Sequence, residues 1–341
     1  MHRRCNMSKV KVAVIGAGYW GKNIVRNVES NSMTELVALC DSNKLSAKKL
    51  LSNQGIDVPV YDSVDSLLTD TDVDAVSIVT PVHTHFQIAM KSLCAGKHVL
   101  IEKPMAMKYS EAAEIVKVSN SKKLNVMCDH TFCYSSPVIE IKKIIQSGEI
   151  GQLLQVNSSR CNLGLLQPDV NVLWDLAPHD ISIVNHVTAY HEIPKSVNAY
   201  GKTIAGYNHE VDAMLSIDYR SGLHVNIHNS WLFPVKTRKM SFVGTKKMIM
   251  WDDLLPDDQK VTVFDKGVNV VNHRKFEYYD NNQEVVRLQK SEPLAAMITE
   301  FATSIIEERK PESSCEEGLQ TIRLLEAATG SITNSRKICL E

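Results

Sequence analysis

The chain has 341 residues, of which 44% are hydrophobic and 23% are charged, values that are typical of globular proteins and exclude disordered, collagen-like and coiled-coil chains. At roughly 150 residues per domain, this length predicts two domains. Lys and Arg number 38 and Asp and Glu number 39, for a formal net charge of −1, so the charge balance favours no nucleic-acid partner.

The first hundred residues alternate short apolar runs with amphipathic stretches, which is the pattern of βαβ units around a parallel sheet. Strands are predicted at Val10–Ile15, Glu35–Cys40, Ala75–Thr80, His98–Ile101 and Val126–Asp129. Helices are predicted at Trp20–Ser30, Ser42–Asn53, Thr84–Ala95 and Ser110–Ser121. The near-continuous Val, Ile and Leu content of the strands suits a sheet that helices cover on both faces. A Rossmann dinucleotide-binding domain is therefore predicted over residues 8–130.

After Gly151 the apolar segments become longer and alternate with polar residues, which favours a mostly antiparallel sheet. Strands are predicted at Leu153–Ser159, Ser196–Gly201, Ala213–Tyr219, Leu223–Asn229 and Lys239–Val243. Helices are predicted at Asp175–Thr188, Pro293–Glu308 and Glu316–Ser331. The predicted fold class is α/β, with the Rossmann domain followed by an α+β domain over residues 131–341 that has an open, mostly antiparallel sheet and C-terminal helices free to pack back on the first domain.

A glycine-rich turn follows the first predicted strand. Gly16, Gly18 and Gly21 fit the spacing G-x-G-x-x-G, with Tyr19 and Trp20 between the last two glycines. Such a turn brings backbone N–H groups and a helix N-terminus close to a pyrophosphate. This loop is therefore a candidate dinucleotide-binding site.

An acidic residue ends the second predicted strand. Asp41 lies 20 residues after Gly21, the spacing at which a carboxylate binds the adenosine ribose hydroxyls. A carboxylate there also repels a 2′-phosphate, so NAD(H) is the predicted cofactor, and Lys44 is the neighbour that could weaken the preference. The alternative is that Asp41 caps the following helix.

With its further motifs, the chain resembles the glucose-fructose oxidoreductase/inositol dehydrogenase (Gfo/Idh/MocA) family. Besides the glycine turn, the matching pieces are Thr80-Pro81-Val82-His83-Thr84-His85, Glu102-Lys103-Pro104, Ser147-Gly148-Glu149-Ile150-Gly151, Asp175-Leu176-Ala177-Pro178-His179-Asp180 and Glu316-Glu317-Gly318. They occur in the family's order over most of the chain. The Gly18–Gly21 and His130–Phe132 segments are similar to the branch of nucleotide-sugar 3-dehydrogenases that handles UDP-N-acetylglucosamine-type substrates.

The resemblance implies joint catalytic roles for Lys103, Asp175 and His179. The residue types suit that chemistry, because an imidazole can take a hydroxyl proton near neutral pH and an ammonium at the carboxyl edge of a parallel sheet can stabilise developing alkoxide charge. Asp175 and His179 share one face of a helix if the stretch is helical. Pro178 then predicts a helix that begins near Asp175. The family's cis-proline is expected at Pro104.

The resemblance also implies further contacts to cofactor and substrate. Thr80, Pro81 and His85 are expected near the nicotinamide, Glu102 at its ribose, and Lys103 at the cofactor as well as the substrate. Arg160 and Asn162 are substrate-binding candidates together with Lys103 and His179. The alternatives are that His85 caps a helix and that Arg160 is a solvated residue at a sheet edge.

The implied activity is hydride transfer between a secondary alcohol of a sugar ring, at C3 of a nucleotide sugar such as a UDP-linked one, and NAD, which gives a keto sugar. The alternatives are an inositol or polyol dehydrogenase and a non-catalytic sensor of NAD or sugar. A homodimer or homotetramer through the C-terminal sheet is expected, because an open sheet with one face covered by helices leaves the other face without a partner.

The remaining sequence features predict no disulfides, no metal site and no membrane segment. The eight cysteines are scattered, without a Cys-x-x-Cys pair, and are predicted to be reduced. No His-x-x-x-His pair with a third ligand is evident, so no metal site is predicted. The N-terminus lacks a signal-peptide pattern and no apolar run approaches 18 residues, so a cytoplasmic protein without membrane contact is expected.

Overall fold

The computed structural model describes residues 9–340, which form two compact units. The first unit holds the chain up to Tyr134 together with Glu292–Ile322, and the second holds Ser135–Ser291 together with the chain from Arg323 onward. The domain boundary proposed from the sequence, between residues 130 and 131, lies four residues before the first of these divisions.

The strands alternate with helices in the first part of the chain and dominate the middle part. The strands are β1 Val10–Ile15, β2 Thr34–Cys40, β3 Val60–Tyr61, β4 Ala75–Ile78, β5 His98–Glu102, β6 Val126–Asp129, β7 Leu153–Leu163, β8 Pro194–Lys202, β9 Asp212–Tyr219, β10 His224–Ser230, β11 Leu232–Gly244, β12 Met248–Asp252, β13 Val261–Asn272, β14 Lys275–Val285 and β15 Ile338–Cys339. The α-helices are α1 Gly21–Ser30, α2 Lys44–Gln54, α3 Val64–Asp70, α4 His85–Cys94, α5 Tyr109–Lys122, α6 Ser136–Gln146, α7 Val172–Val187, α8 Pro293–Ile306 and α9 Cys315–Asn334.

The sheet of the first unit has the order β3-β2-β1-β4-β5-β6, and every neighbouring pair in it is parallel. This is the doubly wound Rossmann arrangement, so the predicted fold class is confirmed for this unit. The carboxyl ends of all six strands meet at one edge of such a sheet, where ligands of open α/β sheets bind.

Helix α8 supplies part of the core of the first unit. Met297 and Phe301 are buried in one apolar cluster with Val12 and Val14 of β1. Asn31 also donates a hydrogen bond from Nδ2 to the Thr299 hydroxyl over 2.8 Å. The sequence pattern assigns α8 to residues 131–341 and leaves the C-terminal helices free to pack back on the first domain, and these contacts place α8 in the first unit.

The sheet of the second unit has the order β14-β13-β12-β11-β7-β10-β9-β8-β15. Only the central pair β7 and β10 is parallel among the described strands of this sheet, so the predicted, mostly antiparallel sheet is confirmed. Alternate residues of β9 are buried, such as Ala213 and Leu215, while Met214 between them is exposed. Helix α7 packs against β7, β9 and β10.

The strands β13 and β14 form a long hairpin that the sequence pattern does not predict. From Asp265 onward β13 pairs only with β14, as far as the described strands show. Most residues of this ribbon are exposed. An apolar and polar alternation arises only where one face of a strand is buried, so the sequence carries no strand signal here.

The described residues contain no helix that is both long enough and apolar enough to span a membrane. Seven cysteines fall within residues 9–340, and each is a free thiol: Cys40, Cys94, Cys128, Cys133, Cys161, Cys315 and Cys339. The eighth, Cys5, lies outside the described residues.

Candidate functional site

The glycine-rich turn lies between β1 and α1. Gly16 has a φ of +114°, and a Cβ on it would lie 2.6 Å from the Val79 carbonyl oxygen. A Cβ on Gly21 would lie 2.2 Å from the carbonyl oxygen of Gly16. A Cβ on Gly18 would meet nothing within 4 Å. Gly16 and Gly21 are therefore required by the turn itself, while Gly18 leaves the backbone open towards a ligand.

Asp41 is held against this turn by its carboxylate. Its Oδ2 accepts a hydrogen bond from the backbone N–H of Ala17 over 2.7 Å, and its Oδ1 accepts one from Asn43 over 2.8 Å. The cap of α2 is Asn43, whose Oδ1 accepts from the N–H groups of Leu45 and Ser46. The capping alternative for Asp41 is therefore wrong.

A cavity of about 430 Å³ opens between the glycine turn and the ends of β2 and β4. Five of the predicted cofactor residues line this cavity: Gly16, Gly18, Asp41, Thr80 and Pro81. Asp62 also lines it and forms an ion pair with Lys44 over 2.9 Å. The positive charge of Lys44 is therefore balanced by Asp62. The open glycine backbone, the N-terminus of α1 and the carboxylate of Asp41 together fit a dinucleotide.

The other two residues of the glycine loop differ in exposure. Tyr19 is 83% exposed, and the Lys22 ammonium lies 4.8 Å from the centroid of its ring. Trp20 is partly buried and donates a hydrogen bond from Nε1 to Oδ2 of Asp129 over 3.2 Å. Trp20 therefore ties the loop to the end of β6.

His85 is buried behind the loop that follows β4. Its side chain faces two backbone carbonyls, with Nδ1 lying 3.0 Å from the Pro104 oxygen and Nε2 lying 2.8 Å from the Thr80 oxygen. Burial lowers the pKa of His85, while the two carbonyls act in the opposite direction. His85 is the first residue of α4, whose cap is Thr84, and it connects the loop at Thr80 with the loop at Pro104.

Lys103 follows β5 directly, at the carboxyl edge of the parallel sheet. The Lys103–Pro104 peptide bond is cis, as the resemblance implies. Burial, and next the charge of Asp129, raise the pKa of Glu102 well above its ordinary value, and the charge of Lys103 opposes this. The same lysine charge contributes to lowering the pKa of His130. The ammonium of Lys103 is therefore close to both side chains.

Asp175 and His179 both lie on α7, one turn apart. The helix begins at Val172, and its cap Asn171 accepts a hydrogen bond at Oδ1 from the N–H of Trp174 over 3.0 Å. Pro178 lies inside the helix, so the predicted start near Asp175 is wrong. The capping asparagine fixes an earlier start, and the proline leaves the carbonyl of Trp174 without its usual helical donor. The spacing of Asp175 and His179 still places them on one face.

Arg160 lies on β7 and forms a buried ion pair. Its Nε and Nη2 donate to Oδ1 of Asp180 over 3.1 and 3.0 Å, and Asp180 also accepts from Ser158 and from Asn229. Arg160 is 6% exposed and Asp180 is 0% exposed. The alternative of a solvated edge residue is therefore wrong. Asn162, two residues further along β7, is partly buried.

Within the first unit, then, the glycine turn, Asp41, Thr80 and Pro81 share one cavity, while Glu102, Lys103 and His130 form a second group at the ends of β5 and β6. Asp129, which no sequence motif indicates, links that group to Trp20. Its place at the end of a predicted strand is a sequence signal for it. Residues 9–340 contain no group of three His, Cys, Asp or Glu side chains that could hold a metal ion.

These features define a dinucleotide-binding Rossmann protein. Residues 10–130 match the model of an oxidoreductase family with an NAD-binding Rossmann fold, and residues 138–250 match the C-terminal domain model of the same family. The chain belongs to the GFO/IDH/MocA family. Its cofactor is NAD.

Curated relatives align over part of their length. An uncharacterized oxidoreductase of Streptococcus pneumoniae is 30% identical over 162 residues, which cover 48% of this chain and 43% of the relative. The chain thus spans less than half the length of this relative. Inositol 2-dehydrogenase of Salmonella typhimurium is 25% identical over 242 residues, covering 64% of this chain and 71% of that protein.

Solved structures match over nearly the whole chain. UDP-N-acetylglucosamine 3-dehydrogenase GnnA from Acidithiobacillus ferrooxidans has a TM-score of 0.79 at 24% identity, covering 96% of this chain and 99% of GnnA. The WlbA dehydrogenase from Bordetella pertussis, solved with NADH and UDP-GlcNAcA, has a TM-score of 0.78 at 20% identity, covering 98% and 99%. At these identities the likeness shows the fold.

Proposed function

We propose that this protein is an NAD(H)-dependent dehydrogenase that transfers a hydride between a secondary alcohol of a sugar ring and the nicotinamide, with C3 of a nucleotide sugar as the reacting carbon. The observation that carries the proposal is the presence of all three groups that such chemistry needs. Lys103 lies at the carboxyl edge of the NAD-binding sheet, and Asp175 and His179 lie one turn apart on α7.

The proposed roles follow from the chemistry of the side chains. NAD, when bound, supplies the hydride acceptor. His179 takes the proton of the reacting hydroxyl, because an imidazole titrates in the range where such transfer is efficient. Asp175 orients the imidazole or the sugar from the same helix face. Lys103 donates to the reacting oxygen and stabilises the negative charge that develops on it.

The contacts to the cofactor and the substrate are also proposals. Asp41, at the glycine turn, binds the adenosine ribose. Thr80 and Pro81 lie on the nicotinamide side of the cavity, and Glu102, which directly precedes Lys103, contacts the nicotinamide ribose. Tyr19 packs over the bound dinucleotide from its exposed position. Asn162 remains a proposed substrate contact. For Arg160 we propose the same contact only through donors other than Nε and Nη2, which bind Asp180.

Two substrate classes compete, and each has support. GnnA is named for UDP-N-acetylglucosamine and WlbA was solved with UDP-GlcNAcA, which favours a nucleotide sugar. The Salmonella relative is named for inositol, which favours a free polyol. An assay that monitors NADH formation by absorbance distinguishes the two classes. The substrates are UDP-N-acetylglucosamine, the corresponding UDP-linked uronic acid and myo-inositol. Turnover of inositol without turnover of either UDP-sugar would refute the nucleotide-sugar proposal.

Two matched pairs of variants test the catalytic roles. Lys103→Met and His179→Asn are expected to lower kcat by about 10²- to 10⁴-fold, the usual contribution of a positioned acid or base. Lys108→Met and His191→Asn remove the same side chains at exposed positions and are expected to retain activity. Binding of NAD with full cellular function in Lys103→Met would instead indicate a non-catalytic sensor.

We also propose a homodimer or homotetramer formed through the C-terminal sheet. Tyr200, Met214 and Met250 lie on the sheet face opposite its buried residues and are 66%, 48% and 40% exposed. Sedimentation velocity on the wild type and on a Tyr200→Glu/Met214→Glu double variant tests this proposal, since the variant is expected to sediment as a monomer. The cytoplasmic location stays a prediction from the sequence.

A further inference from the structure

Two carboxyl groups meet at the ends of β5 and β6. Glu102 and Asp129 are directly paired in the register of these parallel strands. Side chains at paired positions of neighbouring parallel strands project from the same face of the sheet, so the two carboxyl groups are adjacent, and a hydrogen bond to Asp129 is one of the causes that raise the pKa of Glu102. Two carboxylates cannot form such a bond without a proton between them, so the pair holds one proton.

The other partners of Asp129 decide which carboxyl carries that proton. Oδ2 of Asp129 accepts from Nε1 of Trp20 over 3.2 Å, and Oδ1 accepts from the backbone N–H of Thr131 over 3.1 Å. The Thr131 hydroxyl also donates to Oδ1. Asp129 is 3% exposed. Three donors aimed at both oxygens stabilise a carboxylate, so Asp129 is the ionised partner and Glu102 carries the proton.

The titratable groups around the pair agree with this assignment. Lys103 follows Glu102, and its positive charge favours one nearby negative charge. Burial lowers the pKa of His130 to about 4, so this imidazole is neutral at pH 7. Burial raises the pKa of the Cys128 thiol, and the charge of Asp129 adds to the effect. The cluster therefore combines one ammonium with one shared negative charge.

We propose that Glu102 functions as a neutral carboxylic acid that donates its proton to Asp129, and that Asp129 is the positioning residue that sets the orientation of Glu102 and the charge beside Lys103. The catalytic part of this inference rests on the proposed dehydrogenase function, whereas the charge state of the pair does not. Asp129 in turn is fixed by Trp20, so the glycine-rich loop and the end of β5 are connected through one carboxylate.

Infrared spectroscopy of the protein without substrate tests the charge state. The wild type at pH 7 is expected to show the carbonyl band of a protonated carboxyl group, shifted in D₂O. Glu102→Gln is expected to lose this band, whereas the control Glu114→Gln, at an acid paired with Lys117 on α5, is expected to keep it. Absence of the band from the wild type, or its persistence in Glu102→Gln, overturns the proposal.

Asp129→Asn provides a second test that does not depend on the folding of the first variant. An asparagine carries no charge and accepts a hydrogen bond more weakly than a carboxylate does, so the carbonyl band of Glu102 is expected to move to higher frequency. A band that keeps the wild-type frequency in Asp129→Asn shows that Glu102 does not donate to Asp129 and overturns the proposal.

The pH dependence of kcat/KM tests the consequence for Lys103. Glu102→Gln keeps the negative charge of Asp129, so the alkaline limb, which reports Lys103, is expected to stay within about half a pH unit in this variant, whatever the rate. Asp129→Asn removes that charge, and the limb is expected to move to lower pH by about 1 unit or more. A shift of that size in Glu102→Gln shows that Glu102 carries the negative charge and overturns the proposal. If no sugar is turned over, the infrared result still decides the charge state, so the two proposals fail separately.

Discussion

The stability of the first unit is expected to depend on pH through His130. This side chain is 2% exposed, and neither of its ring nitrogens has a hydrogen-bond partner among the described residues. Burial is the main reason that its pKa falls from 6.5 to about 4. Between these values the unfolded chain binds a proton that the native chain does not bind, so the free energy of unfolding falls as the pH falls from 6.5 towards 4.

The size of this effect follows from the two pKa values. Linkage gives a loss of about 2 kcal/mol in the free energy of unfolding between pH 7.5 and pH 5 from this one histidine. His130→Leu, which is close in volume and cannot titrate, removes that contribution. At pH 7.5 the variant is expected to be as stable as the wild type or more stable, because it replaces two unpaired polar atoms with apolar ones.

Hydrogen exchange measured by mass spectrometry on peptides that cover β6 gives the opening free energy close to His130. The difference between pH 7.5 and pH 5 is expected to shrink by about 2 kcal/mol in His130→Leu. His85 is buried and His98 is partly buried, and both have lowered pKa values, so the variant is expected to keep part of the acid sensitivity of the wild type. His191→Leu, at an exposed position, is the control and is expected to show the wild-type difference. An unchanged difference in His130→Leu would refute the reasoning.

Three further predictions test other contacts. Asp180→Asn breaks the buried pair with Arg160 and is expected to lower the free energy of unfolding by about 3 kcal/mol, measured by chemical denaturation; a loss under 1 kcal/mol would contradict a strong network. Asp41→Ala is expected to weaken NAD binding and to narrow the preference for NAD over NADP, measured by calorimetry; unchanged affinities for both would remove Asp41 from the site. His85→Leu leaves the Thr80 and Pro104 carbonyls without the imidazole and is expected to cost about 1 to 3 kcal/mol, with His83→Leu, at an exposed neighbour, as the control.

The parallel sheet could be predicted from the sequence because its strands are buried on both faces. Val10–Ile15 and Val126–Asp129 are predicted with the bounds that the structure shows. The two-residue strand β3 and the seven-residue helix α3 are missed, since such short elements carry too few residues to show a period. The ribbon of β13 and β14 is missed for a different reason, because it is solvated on both faces over most of its length.

The glycine turn could be predicted because its residues are adjacent in sequence and each has a local geometric reason. The contact between Trp20 and Asp129 joins positions 109 residues apart, and no spacing within a single sequence reveals it. Arg160 shows the same limit. It was expected at the substrate because arginine suits anions, but its partner proved to be Asp180, which lies in the motif that supplied Asp175 and His179.

The pair of Arg160 and Asp180 gives α7 a fixed rotation within the second unit. Asp180 accepts hydrogen bonds from Ser158 and Arg160 on β7 and from Asn229 on β10, so one buried side chain of the helix is bound to two neighbouring strands. Rotating α7 would leave that carboxylate buried without its donors, which is costly. Since His179 precedes Asp180 directly and Asp175 lies one turn before His179, their direction follows from this anchor. The ion pair thus supports the proposed catalytic roles of Asp175 and His179, because it fixes the orientation of the helix on which they lie.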